Sequence, residues 1–424
     1  MKINLQDIRE DLQTSFKSKG KSRRRLSKSH YIYSSGSGTT DFSYNGKSVR
    51  VWVPNAQNDY DLVDSVKKLT KLPDVHPYIV VMPDYHKMGL FVNGSVIPSR
   101  DTLYVQAIGG DIGCGFSLAK LPVKKEDLPF DLKQLYKSMN SKIPSGRRSK
   151  STIEDRVDSH PLFDFESSIV NKAVIKKAKM QFGSIGDGNH FAELLTDNSG
   201  QVYSLVHTGS RGLGQIISGV FLRDSDVVRL PHEIHTLKAS SIKGGEYLKH
   251  VDFAQKYAEA NRKEIQRQVL LALKYVSPNY EQVSFDSLLG ETIDLSHNNI
   301  TKQNLFGDLV YVHRKGATYT PQNSFGIIAG SMGTPTFLVR GRGNKDSFNS
   351  CSHGAGRALS RGKARDKISE SDLRESTKDV VCRQDGNVVD EAPQAYKDVR
   401  KVLKSQKKLV RIQSELNPFL NIRG

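Results

Sequence analysis

"LYVQAIGGDIGCG", residues 103–115, runs from an apolar stretch directly into a glycine-rich turn that carries Asp111 and Cys114. A short apolar run bounded by glycines reads as a buried strand with a turn at its end. Other stretches repeat the arrangement: "YIVVMPDYH" (78–86), "VYSLVHTGSRGLG" (202–214), "LVYVHRKGAT" (309–318) and "FGIIAGSMGT" (325–334). Each apolar run ends in a loop rich in Gly, Asp or His. Buried strands that deliver polar side chains from their ends are how many α/β and α+β enzymes assemble a site. Helical patterns lie between them. The clearest covers 246–275, where Tyr247, Val251, Ala254, Ala258, Ile265, Val269 and Leu273 recur at three- and four-residue steps. Residues 61–71 and 394–409 read as shorter helices of the same kind. The expected fold is α+β, a single large domain over residues 1–424 with central β-sheets and helices packed outside.

A chain of 424 residues buries a sizeable core without difficulty. Its charge is less ordinary: 63 Lys and Arg against 45 acidic residues give a formal +18. Such a surplus argues for a polyanionic partner, of which nucleic acid is the commonest, with a merely basic soluble protein as the alternative. The basic run "KSKGKSRRRLSKSH" (17–30) leads into "SSGSGTTD", so residues 17–40 read as a basic flexible arm or loop. Residues 144–160 have the same character and read as a second mobile loop. Cys114, Cys351 and Cys382 form no C-x-x-C pair and no disulfide framework, which fits a reducing compartment. "MKINLQDIREDL" has acids where a signal peptide needs an apolar core, and no apolar run nears the ~20 residues that span a bilayer. A soluble, cytoplasmic protein without membrane contact is expected.

Asp111 and Cys114 lie three apart in a turn whose glycines let both face one point, and a thiolate beside a carboxylate suits a cation. A buried structural thiol after a turn is the competing reading. Of the 12 histidines, His190, His207, His297, His313 and His353 occupy tight polar contexts, whereas His160, His232, His235 and His250 read as surface or internally satisfied residues. The first group, taken with Asp111 and Cys114, points to a metal centre at strand ends. Its mixed S, N and O donors suit zinc, manganese, iron or cobalt. "HTGSRGLG", "HRKGAT" and "GSMGT" combine glycines, hydroxyls and cations, so Arg211, Arg314 and Lys315 are candidates for holding phosphate or RNA. Ordinary turns with surface cations are the alternative. "KGKS" and "NGKS" resemble the end of a P-loop, but Ser15 and Asp41 stand where its first glycine belongs.

In order along the chain, "MPDYHKMGLFVNGSVIP", "GGDIGCG", "GDGNHFAE", "HTGSRGLG", "SHNNI", "HRKGAT", "GSMGT", "SHGAGR", "DEAPQAYKDV" and the closing "RG" resemble the motifs of the RtcB family of RNA ligases. The resemblance runs from about residue 82 onward. It implies an RtcB-like domain and a GTP- and Mn2+-dependent ligase. Such an enzyme joins RNA ending in a 2′,3′-cyclic phosphate or 3′-phosphate to RNA beginning with a 5′-hydroxyl. By the same resemblance Asp111, Cys114, His190, His207 and His297 would bind two Mn2+ ions, with the Cys114 sulfur bridging them. His353 would be the nucleophile that becomes guanylylated before an RNA 3′-guanylate forms. Asn189, Glu193, His297, Asn298, Ser331, Gly354, Ala355, Gly356, Tyr396 and Arg423 would hold GTP or guanylate. The family usually closes on Lys-Gly, whereas this chain has Arg423-Gly424, which keeps the charge but changes its reach.

Two other readings compete with ligation. A metal-dependent RNA phosphoesterase would use the same Asp, Cys and His set for hydrolysis alone. A noncatalytic RNA-binding protein would keep the histidines only as structure. The natural RNA, the metal used in the cell and any activating partner protein are left open.

Overall fold

The computed structural model describes residues 24–27, 30–34, 38–44, 46–86, 91–128, 131–146, 154–165, 167–229, 233–276, 283–286 and 292–423. Residues 17–23 of the basic arm, 87–90 of the "MPDYHKMGLFVNG" stretch, 147–153 of the second loop, His232 and Gly424 lie outside them. The architecture is α+β, built on two large sheets that meet at one edge of each. The first has the order Arg24–Ser27, His30–Ser34, Thr40–Tyr44, Lys47–Val51, Ile79–His86, Asn93–Ser99, Asp308–Lys315, Asn298–Leu305. Its pairs are antiparallel except Lys47–Val51 with Ile79–His86. The second runs Thr292–Ser296, Gly115–Lys124, Gln201–Thr208, Phe191–Thr196, Val410–Arg423, Thr336–Gly341, Phe325–Ile328.

One residue joins the two sheets. Thr292–Ser296 belongs to the second and Asn298–Leu305 to the first, so His297 occupies the crossing. Register brings other polar groups to the same place. Thr208 lies opposite Gly115, and Phe191 lies opposite both His207 and Arg423, so Cys114, His190, His207 and Arg423 share one end of the second sheet. Gly115 is required there, because a Cβ would sit 2.3 Å from the carbonyl oxygen of Leu295. From the first sheet, Ile79–His86 ends beside the same point.

The helix Ile242–Val276 is the main packing element, about 50 Å long at ~1.5 Å per residue. Every apolar position of the sequence stripe, from Tyr247 to Leu273, is buried. Its two halves enter different core clusters, one with Val105, Ile108 and Ile217, the other with Leu121, Leu194 and Ile422. Tyr60–Leu69 confirms the shorter helix: the Asp59 carboxylate caps it through Leu62 N–H at 3.0 Å, and Leu62, Val66 and Leu69 are buried.

Some local expectations are corrected. "LYVQAIGG" is strand only over Thr102–Tyr104; Val105–Ile108 is a single helical turn, ended by Gly109 at φ +60°. The expected helix over 394–409 shrinks to Val399–Ser405, capped by Asp398, because Tyr396 is extended and turned into the central cleft. Within the basic arm, Arg24–Ser27 and His30–Ser34 are strands rather than loop: His30–Ser34 pairs with Thr40–Tyr44, and Arg24–Ser27 pairs with it in turn as the edge strand. The second loop contains a helical turn at Asp155–Asp158.

Leu273 is 2% exposed in the core beneath the second sheet, and Leu271 on the same helix is 38% exposed. Leu273→Ala is expected to cost about 2–5 kcal/mol. Leu271→Ala should cost well under half of that, as read from urea denaturation midpoints.

Candidate active site

Where the sheets meet, a cleft of about 920 Å³ opens onto Asp111, Cys114, His207, His297 and His353. The Cys114 sulfur lies 3.3 Å from Nε2 of His190 and 3.3 Å from Nε2 of His207. On one side, His190 Nε2 is 3.1 Å from an Asp111 carboxylate oxygen; on the other, His207 Nε2 is 3.3 Å from His297 Nε2. Ligand atoms of Cys114, His190 and His207 all fall within 4.8 Å of one another, a group able to hold a metal ion. The backbone sets this convergence. Cys114 N–H donates to the Asp111 carbonyl at 3.2 Å, His297 N–H to the Cys114 carbonyl at 2.9 Å, and Gly113 N–H to the Asn298 carbonyl at 2.9 Å.

Burial decides the protonation of these groups. It pulls His207 and His297 well below the ordinary histidine value, with neighbouring imidazoles adding to the effect, so both rings are neutral at neutral pH. Nδ1 of His207 bonds the Asn189 carbonyl at 3.0 Å, which leaves Nε2 as the free lone pair facing the sulfur. Burial, and then the Asp111 carboxylate, push the Cys114 thiol well above its ordinary value. A bound cation reverses that preference, because a coordinating thiol is deprotonated outright. The donor set therefore fits a divalent transition metal.

His353 stands beside this cluster, its ring 4.5 Å from that of His297. The short pairing of Ala317–Tyr319 with Ser350–Ser352 delivers it, and its Nδ1 is 2.7 Å from Asp84 Oδ2 and 2.8 Å from the Gly316 carbonyl. With both partners accepting at Nδ1, Nε2 carries the lone pair. Asp84 is completely buried and also accepts the N–H groups of His353 and Gly354 at 3.2 and 3.3 Å. Burial disfavours its ionisation, but the His353 ring, His86 and a hydrogen bond from Ser352 together hold the carboxyl below the ordinary carboxylate value. Lys397 donates to the carbonyls of Pro83 and Tyr85 at 3.2 and 2.5 Å, clamping the turn around Asp84, and burial lowers its ammonium to about 8. Gly356, at φ +72°, is obligatory: a Cβ would lie 1.9 Å from the Asp84 carbonyl oxygen.

The remaining sequence candidates divide. Asn189, Asn298, Gly354, Ala355, Gly356, Tyr396, Arg423 and Lys315 line the cleft; Glu193, Ser331, Arg211 and Arg314 are not among its lining residues. Glu193 is buried against Asn421, whose amide donates at 2.8 Å, and burial raises its carboxyl to about 7. Ser331 Oγ pairs with Thr334 Oγ1 at 2.8 Å. Arg211 bonds Ser184 and the Gly146 carbonyl. The expectation for Arg314 is corrected most clearly. It is fully buried and spends its guanidinium on Ser350, Thr301 and the Phe348 carbonyl, so it ties strands together and meets no external phosphate. His313 is likewise structural: Nε2 accepts Tyr104 N–H at 3.1 Å while Nδ1 donates to the Ile97 carbonyl at 3.0 Å. His250 is internally satisfied as expected, between Ser167 and the Glu246 carbonyl.

Arg423 is 5% exposed and paired with Glu391, while its Nε has no hydrogen-bond partner among the described residues. Glu391 also receives Arg361 at 2.5 Å, Arg357 at 3.2 Å and the Tyr396 hydroxyl. Arg357, Arg361, Lys363 and Lys367 make one wall of the cleft basic. Asp84, Lys397 and Glu391 were missed in the sequence although their motifs were noticed; the carboxylate directly after "MP" and the "DE" of "DEAPQAYKDV" were the available signals.

A buried sulfur, nitrogen and oxygen donor cluster able to hold a metal ion, with a carboxylate-held histidine beside it in the same cleft, is the class of site that this α+β frame builds. A family model described as tRNA-splicing ligase RtcB matches residues 65–163 and 156–424. The RNA-splicing ligase RtcB of Escherichia coli is 34% identical over 398 residues, covering 89% of this chain and 97% of that protein. The tRNA-splicing ligase RtcB of Methanococcus maripaludis is 28% identical over 419 residues, covering 81% and 86%. The chain belongs to the RtcB family.

Titration of the metal-free protein with Co2+ is expected to develop a near-ultraviolet thiolate-to-metal absorption band. Cys114→Ser should abolish the band while leaving the thermal unfolding midpoint of the metal-free protein nearly unchanged.

Proposed function

We propose that this protein is a GTP- and Mn2+-dependent RNA ligase that joins 2′,3′-cyclic phosphate or 3′-phosphate ends to 5′-hydroxyl ends. Family membership supports the RNA ligation, and the observation that carries the mechanism is the orientation of His353 by Asp84 and the Gly316 carbonyl beside the Cys114 donor cluster. Cys114 stands between an Asp111/His190 side and a His207/His297 side, and these five residues would hold the divalent ions. Divalent ions held there would neutralise triphosphate charge that otherwise repels a nucleophile.

The chain's own residues do the rest. Asp84 keeps the proton on Nδ1, so Nε2 of His353 attacks the α-phosphorus of GTP and the bond to pyrophosphate breaks. The resulting imidazolium character is stabilised by the same carboxylate. An oxygen of the RNA 3′-phosphate then displaces the imidazole, which regenerates neutral His353 and leaves the RNA activated by a pyrophosphate linkage to guanosine. A cyclic end is first opened by water. Attack by the 5′-hydroxyl on the RNA phosphorus forms the new phosphodiester and releases GMP. Activation is needed because a phosphate monoester is a poor electrophile with a poor leaving group.

Asn189, Asn298, Gly354, Ala355, Gly356, Tyr396 and Arg423 line the cleft and would surround guanylate, with Nε of Arg423, unpartnered among the described residues, as a donor. Lys315 and the basic wall are placed to hold the RNA phosphates, a part in which Arg314 and Arg211 are replaced by Arg357, Arg361, Lys363 and Lys367.

The protein incubated with Mn2+ and GTP labelled at the α-phosphate should acquire acid-labile label, and His353→Ala should acquire none. An unlabelled but folded and metal-loaded wild type would shift the reading to a metal-dependent phosphoesterase. RNA affinity should fall by about tenfold between about 50 and 200 mM salt for every two phosphates contacted. A flat salt response would remove the RNA role of the basic wall.

A further inference from the structure

The face that the helix Ile242–Val276 turns toward the strand ends is polar, although it is buried as deeply as the core. Asn261, Arg262 and Gln266 are 0%, 1% and 0% exposed. A guanidinium this far from water is costly unless every donor is used, so where Arg262 spends its donors says what it does. We propose that Arg262 is a positioning residue for the donor centre, a single rigid fork that sets the spacing of the segments carrying Cys114, His207 and His297.

Its Nη1 donates to the Gly113 carbonyl at 2.8 Å and to the Thr208 carbonyl at 2.9 Å. Gly113 immediately precedes Cys114, and Thr208 immediately follows His207. Its Nε and Nη2 grip the Asp294 carboxylate at 2.8 and 2.5 Å, on the strand that runs into His297. The guanidinium is planar and its donors are fixed relative to one another. Three stretches far apart in sequence are thus referred to one object. The neighbouring Asn261 adds a fourth, accepting Gly183 N–H at 2.6 Å and donating to the Ser184 carbonyl at 3.2 Å, at the start of the loop that reaches His190. Neither side chain is among the residues that line the cleft, so their effect on the site passes through the backbone.

Gln266 supplies the comparison. One turn further along, it donates to the carbonyls of Ser117 and Ser204 at 2.9 and 3.2 Å, within the strands and away from the ligands. A helix that merely fastened the sheet would use Arg262 and Gln266 alike. Positioning of the donors separates them, because only Arg262 holds residues adjacent to a ligand.

The inference rests on the metal reading of the cluster, and its test is Co2+ binding to the full chain, read by the charge-transfer band and by calorimetry. Arg262→Met and Arg262→Lys should bind Co2+ about 10- to 100-fold more weakly with an altered band, the range typical when support behind metal ligands is removed. Lysine should be the milder change, since it keeps the charge but not the fork. Gln266→Leu should lower the unfolding temperature and leave Co2+ affinity within about twofold of wild type.

Unchanged affinity and spectrum in either folded Arg262 variant overturns the proposal. So does an equal loss in Gln266→Leu, which would mean general loosening, and so does failure of both Arg262 variants to fold, which would make Arg262 a residue of the fold alone. A wild type that binds no Co2+ overturns the metal reading itself, and is recognised before any variant is compared.

Discussion

The contact on which the molecule is organised is that of the Cys114 sulfur with two imidazole nitrogens, each 3.3 Å away. Electron-rich atoms do not gather out of water of their own accord. Holding them together needs a frame stiff enough that the donors cannot swing apart to find protons or solvent. The frame here is the meeting of two sheets, with His297 as the one residue between strands that belong to different sheets. Backbone hydrogen bonds from Gly113, Cys114 and His297 fix the ligand positions before any side chain rotates. The buried pairing of Arg262 with Asp294 works behind that frame at no net charge, so it stiffens the centre without adding a competing cation.

The second sheet contributes most of the donor cluster, and the first contributes the group that orients His353. Asp84, at the end of Ile79–His86, has no exposure and spends one oxygen on the ring and backbone of His353 and on the backbone of Gly354. It fixes a tautomer and an orientation together, the two things imidazole needs before it can act as a nucleophile near neutrality. Glu391 plays a comparable part further out, gathering three arginines and a tyrosine from separate segments into the wall of the same cleft. Buried carboxylates in this protein are therefore assembly points for cations and rings that would otherwise repel or drift.

Much of this was legible in the sequence. Strands ending in polar turns and the long amphipathic helix follow from apolar runs and the residues that close them; the grouping of Asp111 and Cys114 with histidines in tight polar contexts was legible too, and the family resemblance narrowed it to His190, His207 and His297. What sequence did not separate was the set of neighbours along a stretch of strand buried on both faces. At Val312–Arg314 successive side chains are all buried, so no alternation of polarity shows that His313 and Arg314 are structural while the next residue, Lys315, reaches the cleft. Arg262 was hidden for a related reason: the apolar stripe around it accounts for the helix so well that one polar side chain within it reads as exposed. Asp84 was overshadowed by the histidine two places later, and only the fold shows that the carboxylate is the one that touches His353. The expected helix over 394–409 failed because Tyr396 and Lys397 are drawn out of helical conformation by partners distant in sequence.

The strand Val410–Arg423 lies in the interior of the second sheet, between Phe191–Thr196 and Thr336–Gly341, and not at its edge. Ribosomal synthesis delivers residues in order, so both flanking strands emerge before the one that joins them. Until it arrives, each presents an unpaired row of N–H and C=O groups, the condition that invites mispairing with another chain. This strand emerges after both of its neighbours, closes the sheet between them and, through Arg423, forms part of the cleft wall, so assembly of the cleft waits on synthesis through this strand. Truncated products of an interrupted message would carry the histidines and the cysteine yet lack the piece that locks their frame, which makes them substrates for chaperones or proteases before they can be stray catalysts.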